Sequence, residues 1–227
     1  MGWQEAGQAV AELVLGATCP GCRRSGLGLC DRCLATIRAA RPFRADGMPG
    51  LPPVYAAGAY AGVLKDVLIA AKERSALGML PVLADRLAAS LAALLLACPV
   101  PPPSPVQLVN VPTVRARAAE RGVDHTRELT RLAALRLRRV GVAVTARPLL
   151  VVQRRPQDQS GLARDQRWRN LEGAFRARAV PSVPVILADD IVTTGATLTE
   201  AVRACRMAGG VVWGCVTVAA TAKGGPC

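Results

Sequence analysis

Apolar residues along this chain recur at two periods. From Leu64 to Lys72 and from Val82 to Ala97 they return every three or four positions, which places them on one face of an α-helix. The longest apolar run, Leu87 to Val100, follows Asp85 and Arg86 and is too short to span a bilayer, so a buried helix is expected there. The proline-rich stretch from Pro99 to Pro105 removes N–H donors and must end that helix in a loop. Beyond it the pattern predicts a strand from Val106 to Val111, a helix near Thr126 to Arg139 and a strand within Val142 to Val152. A strand over Val185 to Ala188, a helix from Thr197 stopped by Gly209-Gly210 and a strand around Val211 to Val218 complete the series. Strands alternating with helices predict an α/β fold: a mostly parallel sheet with helices on both faces and ligands at the carboxyl ends of its strands.

Candidate chemistry concentrates in Val185 to Glu200, VILADDIVTTGATLTE. An apolar strand runs into two carboxylates, and a Thr/Gly loop then leads into a helix N-terminus. Unpaired N–H groups and the positive end of the helix dipole favour an anion there, and phosphate is the natural guest. Adjacent acids repel and raise one another's pKa unless a cation or hydroxyl donors sit with them. A sugar diol beside a phosphate satisfies both halves. The alternative is an ordinary strand followed by a capped helix, which needs only one acid and no TTG loop.

The segment resembles the phosphoribosyl pyrophosphate (PRPP) motif of type I phosphoribosyltransferases. That resemblance implies that Asp189 and Asp190 meet the ribose hydroxyls and that Thr193, Thr194, Gly195, Ala196 and Thr197 wrap the 5-phosphate. Thr193 stands where purine-salvage members carry an Asp proposed as general base, a role a hydroxyl cannot fill near neutral pH.

At the other end Cys19, Cys22, Cys30 and Cys33 form C-x2-C-x7-C-x2-C, the spacing of two thiolate knuckles around a tetrahedral Zn²⁺. Gly21, Gly26 and Gly28 are expected to permit the tight turns. A redox pair, disulfides and a chance cluster compete with this reading. Disulfides are disfavoured because no secretory signal is recognisable, the first basic residue being Arg23, so a cytoplasmic protein without membrane insertion is expected. Four thiolates leave no open position for a catalytic water, so the zinc is expected to be structural. With 227 residues and 51% hydrophobic content, the chain can bury one good core and a small appendage. The expected division is an N-terminal helix and four-cysteine zinc knuckle over 1–50 and an α/β domain over 51–227.

A four-cysteine knuckle ahead of a PRPP motif resembles the ComF/GntX family, phosphoribosyltransferase-like proteins associated with DNA uptake in competent bacteria. Tyr60-Ala-Gly-Val63, Lys72, Val109-Asn-Val-Pro112, Arg121-Gly122, Gln159, Arg167, Asn170 and Ala174-Phe175 follow that family's order. Val123, Asp124 and His125 depart from its usual aromatic and Asn-Gln pair, and Asn110 stands where a proline is common. The resemblance implies a type I phosphoribosyltransferase-like fold, a Mg²⁺-dependent PRPP or nucleotide ligand, and transfer of phosphoribosyl to an unidentified acceptor. The alternative it leaves is an accessory protein that binds PRPP or a nucleotide and docks single-stranded DNA or a DNA-translocation partner.

Charge adds less than its size implies. The net charge of +13 comes mostly from arginine, with three lysines and one histidine in the chain, a bias that GC-rich coding also produces. Arg115, Arg117 and Arg121 follow a strand end and are candidates for the pyrophosphate, with solvated loop arginines as the alternative. Arg127, Arg131 and Arg138 are expected on a solvated helix face. The stretch Arg154 to Arg169, with Trp168, resembles the hood loop of the fold and also suits a single-stranded nucleic acid. His125 is expected as a cap or surface residue, and Cys205 and Cys215 as small apolar core residues.

Overall fold

The computed structural model describes residues 18–73, 77–98, 105–113, 124–154 and 171–221. The predicted hood stretch from residue 155 on, Trp168 and Cys227 lie outside them. In chain order the elements are α1 (Asp31–Ala39), β1 (Phe43–Arg44), β2 (Val54–Ala56), α2 (Gly62–Glu73), a 3-10 turn (Leu77–Met79), α3 (Leu80–Ala97) and β3 (Val106–Asn110). There follow α4 (His125–Arg139), β4 (Val144–Ala146), β5 (Leu150–Val152), β6 (Phe175–Ala177), β7 (Val185–Val192), α5 (Ala196–Met207) and β8 (Val212–Ala220).

Six strands make one sheet in the order β1-β2-β8-β7-β3-β4. Every pairing in it is parallel except β1 with β2, an antiparallel hairpin at the edge. The β3 chain continues through α4 to β4 on one side, while β7 continues through α5 to β8 on the other. The order therefore reverses between β3 and β7, and the carboxyl ends of strands at such a switch point are the usual ligand position in open parallel sheets.

Alternation along the strands sorts the core into two layers. Leu108, Ile186, Ala188, Val216 and Val218 pack against α2, α3 and α4. Val109, Val185, Leu187 and Cys215 face α5 and the antiparallel pair β5–β6. Helix α3 has the length and apolarity of a membrane span, yet it packs as a core helix, with Leu83, Leu87, Leu91 and Leu94 fully buried. Burying such leucines contributes about 1.5–3 kcal/mol each, enough to fix the helix on the sheet.

The N-terminal cysteine segment is stitched into this core. Ile37 of α1 belongs to the α2–α4 layer. Arg86 of α3, itself buried, donates through Nη1 to the Arg38 carbonyl (3.3 Å) and through Nη2 to the carbonyls of Ala40 and Ala57 (2.8 Å to the latter). Burial lowers the pKa of this guanidinium, with Asp85 acting in the opposite direction. The expected boundary at residue 50 falls inside the hairpin whose strands are β1 and β2.

Other differences from the sequence pattern are local. Strand β7 continues past Ala188 to Val192, so the two acids lie within it. Val142 to Val152 holds two strands: β4 joins the main sheet and β5 pairs with β6.

Candidate functional site

The acids of β7 occupy different surroundings. Asp190 shares its parity with Ile186 and Ala188 and turns toward the helix layer, where its Oδ2 lies 2.6 Å from Lys72 Nζ at the end of α2. Asp189 accepts from the Asp190 backbone N–H through Oδ1 at 2.8 Å. The Asp189 residue keeps some accessible surface, but its carboxyl lies deep among protein atoms. Burial first, and the charge of Asp190 second, push its pKa well above the ordinary carboxylate range, against the pull of Lys72. The counter-charge that adjacent acids require is thus supplied by a lysine distant in sequence.

The loop after β7 turns at Gly195, whose φ of 83° is left-handed and is the N-cap position of α5. A Cβ there would also approach Met48 Sδ to 3.0 Å and Leu51 Cδ1 to 3.2 Å, so conformation and space both require glycine. Thr194 Oγ1 accepts from the Ala196 N–H at 3.4 Å, while the first-turn N–H groups of Thr197 and Leu198 have no acceptor within the helix by geometry. Thr193 is exposed, Thr194 and Thr197 are half-buried, and Gly195 and Ala196 are buried. All five predicted loop residues therefore gather at one helix start beside Asp189. Arg115, Arg117 and Arg121 lie outside the described residues.

Sequence reasoning missed the cover of this loop. The tip of the β1–β2 hairpin lies over Gly195 through Met48 and Leu51. Beside it opens a cavity of about 310 Å³ whose lining includes Phe43, Ala45, Met48, Val192, Thr193 and Thr221. Strands of two and three residues have no readable period, and only pairing reveals them, β2 against β8 and β1 against β2. The Glu200–Arg203 clamp was also missed, although an acid and a base at i, i+3 on a helix are a visible signal. Arg203 donates to both Glu200 oxygens (2.6 and 2.8 Å) and to the Phe175 carbonyl (3.1 Å), while Glu200 accepts from the Phe175 N–H (3.0 Å). This ties β6 to the helix that carries the loop. Burial opposes ionisation of Glu200, yet Arg203 and the Phe175 and Gly173 N–H groups outweigh it and lower its pKa.

The four cysteines converge. Their sulfurs all lie within 4.8 Å of one another, and Cys22 Sγ to Cys30 Sγ is 3.7 Å. A tetrahedral ion with metal–sulfur bonds of about 2.3 Å requires sulfurs about 3.8 Å apart, so the cluster fits a metal ion, and all four cysteines are free thiols in this structure. One knuckle is a turn closed by Cys19 N–H to Arg24 O (2.8 Å) and Arg23 N–H to Cys19 O (2.9 Å). The other is the start of α1, where Cys30 stands at the N-cap position without a side-chain capping bond and Cys33 follows one turn later. Gly26 and Gly28 have positive φ as turns require. Gly21 serves close approach instead, since a Cβ there would meet Val63 of α2 at 2.8 Å and Cys33 Sγ at 2.9 Å. Burial works against the Cys19 thiolate, but N–H donors from Cys30, Cys22 and Gly21 outweigh it and bring the pKa down to about 6. Burial and the neighbouring thiols push Cys33 up to about 12.

The remaining candidates lie on α4 and in the core. Asp124 caps α4 by accepting from the Arg127 N–H at 3.0 Å, and His125 is only the first residue of that helix. Arg127, Arg131 and Arg138 are exposed, with Arg131 paired to Glu128 at 2.6 Å. Cys205 and Cys215 are fully buried, and burial raises both thiols, Cys205 to about 11. No protein-family model matches the chain, and the search of curated proteins found no match.

Proposed function

We propose that the switch point at the carboxyl ends of β3 and β7 binds a pentose 5-phosphate carrying Mg²⁺-pyrophosphate, of which PRPP is the model. In this reading the chain is a ComF/GntX-like protein with a type I phosphoribosyltransferase-like domain. The carrying observation is the joint placement of Asp189, the left-handed Gly195 turn and the start of α5 at the carboxyl end of a central strand. Asp189 and Asp190 take the sugar hydroxyls, with Asp190 paired to Lys72. The loop N–H groups and the hydroxyls of Thr194 and Thr197 take the phosphate. Magnesium supplies charge neutralisation on the pyrophosphate. The cluster of Cys19, Cys22, Cys30 and Cys33 holds zinc in a structural role, since all four positions of a tetrahedron are thiolates.

Calorimetry tests the cradle: Mg²⁺-dependent PRPP binding is expected in the natural protein and should vanish in the Asp189→Ala, Asp190→Ala double variant. Unchanged affinity in that variant removes the proposal. A second reading, a binding module that docks single-stranded DNA, draws on the exposed arginines of α4, Arg127, Arg131 and Arg138, of which Arg131 is held by Glu128 at 2.6 Å. Such docking predicts affinity for an oligonucleotide that falls steeply with salt.

A further inference from the structure

We infer that the open edge of the sheet at β4, with the arginine-flanked groove between that strand and α4, docks a short acidic segment of a partner protein in extended conformation. The inference does not rest on the sugar-phosphate reading. It starts from the strand order: β4 is the last strand of the six-stranded sheet and, among the described residues, pairs only with β3. The Ala143 carbonyl accepts from the Val106 N–H (3.0 Å) and the Arg147 N–H donates to the Leu108 carbonyl (3.0 Å), so Ala143 and Arg147 turn their backbone groups toward β3. By the alternation of a parallel ladder, Val144 and Ala146 turn theirs outward. The Val144 N–H is used on the Val142 carbonyl (3.0 Å). The Val144 carbonyl and both backbone groups of Ala146 are left for an incoming strand, and main-chain pairing with a sheet edge is one of the recurring modes of peptide capture.

The side chains beside the edge set the partner's chemistry. A groove of about 150 Å³ is lined by Arg131, Ala134, Leu135 and Arg138 of α4 and by Ala146 of β4. Its floor is apolar, and the volume suits one aliphatic side chain. Arg131 and Arg138 flank the floor two turns apart, about 10 Å along the helix. Alternate residues of an extended strand lie about 6.7 Å apart. A peptide with an aliphatic residue over the floor therefore brings the side chains two positions before and after it within reach of the two guanidinium groups, where carboxylates make charge-assisted hydrogen bonds.

The rest of the helix carries the same sign. Its only acid is Glu128, against Arg127, Arg131, Arg136, Arg138 and Arg139. The salt bridges of α4 use Arg131 and Arg136, which leaves Arg138 exposed at one end of the groove. A surface of one sign steers an acidic partner and rejects a basic one. A nucleic acid would find the charge and little else: no aromatic side chain lines the groove to stack on a base, and phosphodiesters cannot pair with a strand edge.

The experiment titrates the nitrogen-15-labelled full chain with a short peptide in which threonine alternates with aspartate, valine and aspartate in turn. Amide shifts should move saturably at residues 142–147 and along 131–138. Arg138→Glu should weaken binding at least tenfold, and Arg131→Ala severalfold, since Arg131 is shared with Glu128. A control leaves the protein unaltered: the same peptide methylated on alternate backbone nitrogens keeps its charge, loses strand pairing and should bind at least tenfold more weakly. Lysine in place of aspartate should abolish binding. The absence of saturable binding, equal affinity for the methylated peptide, indifference to Arg138→Glu or shifts confined to other residues would each overturn the inference. So would a short oligothymidine that displaces the peptide and binds these residues more tightly, an outcome that assigns the face to nucleic acid instead.

Discussion

The cysteine cluster and the acid pair are both groups of ionisable side chains that folding brings together, and they differ in what lies beside them. The four sulfurs lie within 4.8 Å of one another, an arrangement that could hold a metal ion. The two carboxylates of β7 have an internal cation in Lys72. In the proposed reading the first site is structural, while the second, paired with Lys72 on its helix-layer side and followed by the Thr/Gly loop, takes a ligand.

The comparison can be broken at several points. The largest effect is expected at the closed cluster: Cys33→Ser should abolish stoichiometric zinc, measured by elemental analysis, and cost about 3–5 kcal/mol in chemical denaturation. Full stability with no metal would refute a structural ion. Next comes Arg86, whose donors join α1 and the hairpin end to α3. Arg86→Met leaves buried carbonyls unpaired and should cost about 2–4 kcal/mol. A loss confined to the cysteine segment, read by hydrogen exchange, would show a separable module in place of a fused one.

Lys72→Met should leave the fold intact and weaken PRPP about tenfold or more, because Asp190 loses its counter-charge. Unaltered affinity would mean that the acids do not act as a pair. The smallest effect concerns pH. Glu200 has a folded-state pKa below its ordinary value of 4.5, so its contribution is present above that pH and is lost as pH falls through the lowered value. Asp189 has the opposite sign: its pKa is raised, so its contribution is full at acid pH and declines as pH rises above the carboxylate range. Glu200→Gln should flatten the acid limb of the stability curve, and Asp189→Asn the limb above it.

Much of this was readable beforehand because it is local. A C-x2-C pair, a strand running into a Thr/Gly loop and an i, i+4 apolar helix each declare themselves within a dozen residues. Lys72 belonged to a family-like pattern, yet its role depends on a contact with a strand far along the chain. The hairpin over Gly195 was illegible for the same reason, since β2 exists only through its pairing with β8. The extension of β7 through both acids also escaped notice, because carboxylates read as a strand end when their neighbours are unknown.

The most direct test of the sugar-phosphate cradle is a crystal structure of the full chain with Mg²⁺ and PRPP. The account predicts the 5-phosphate against the N–H groups of residues 194–198 and the ribose hydroxyls on Asp189 and Asp190. A phosphate bound elsewhere, with Asp189 untouched by the sugar, would contradict it.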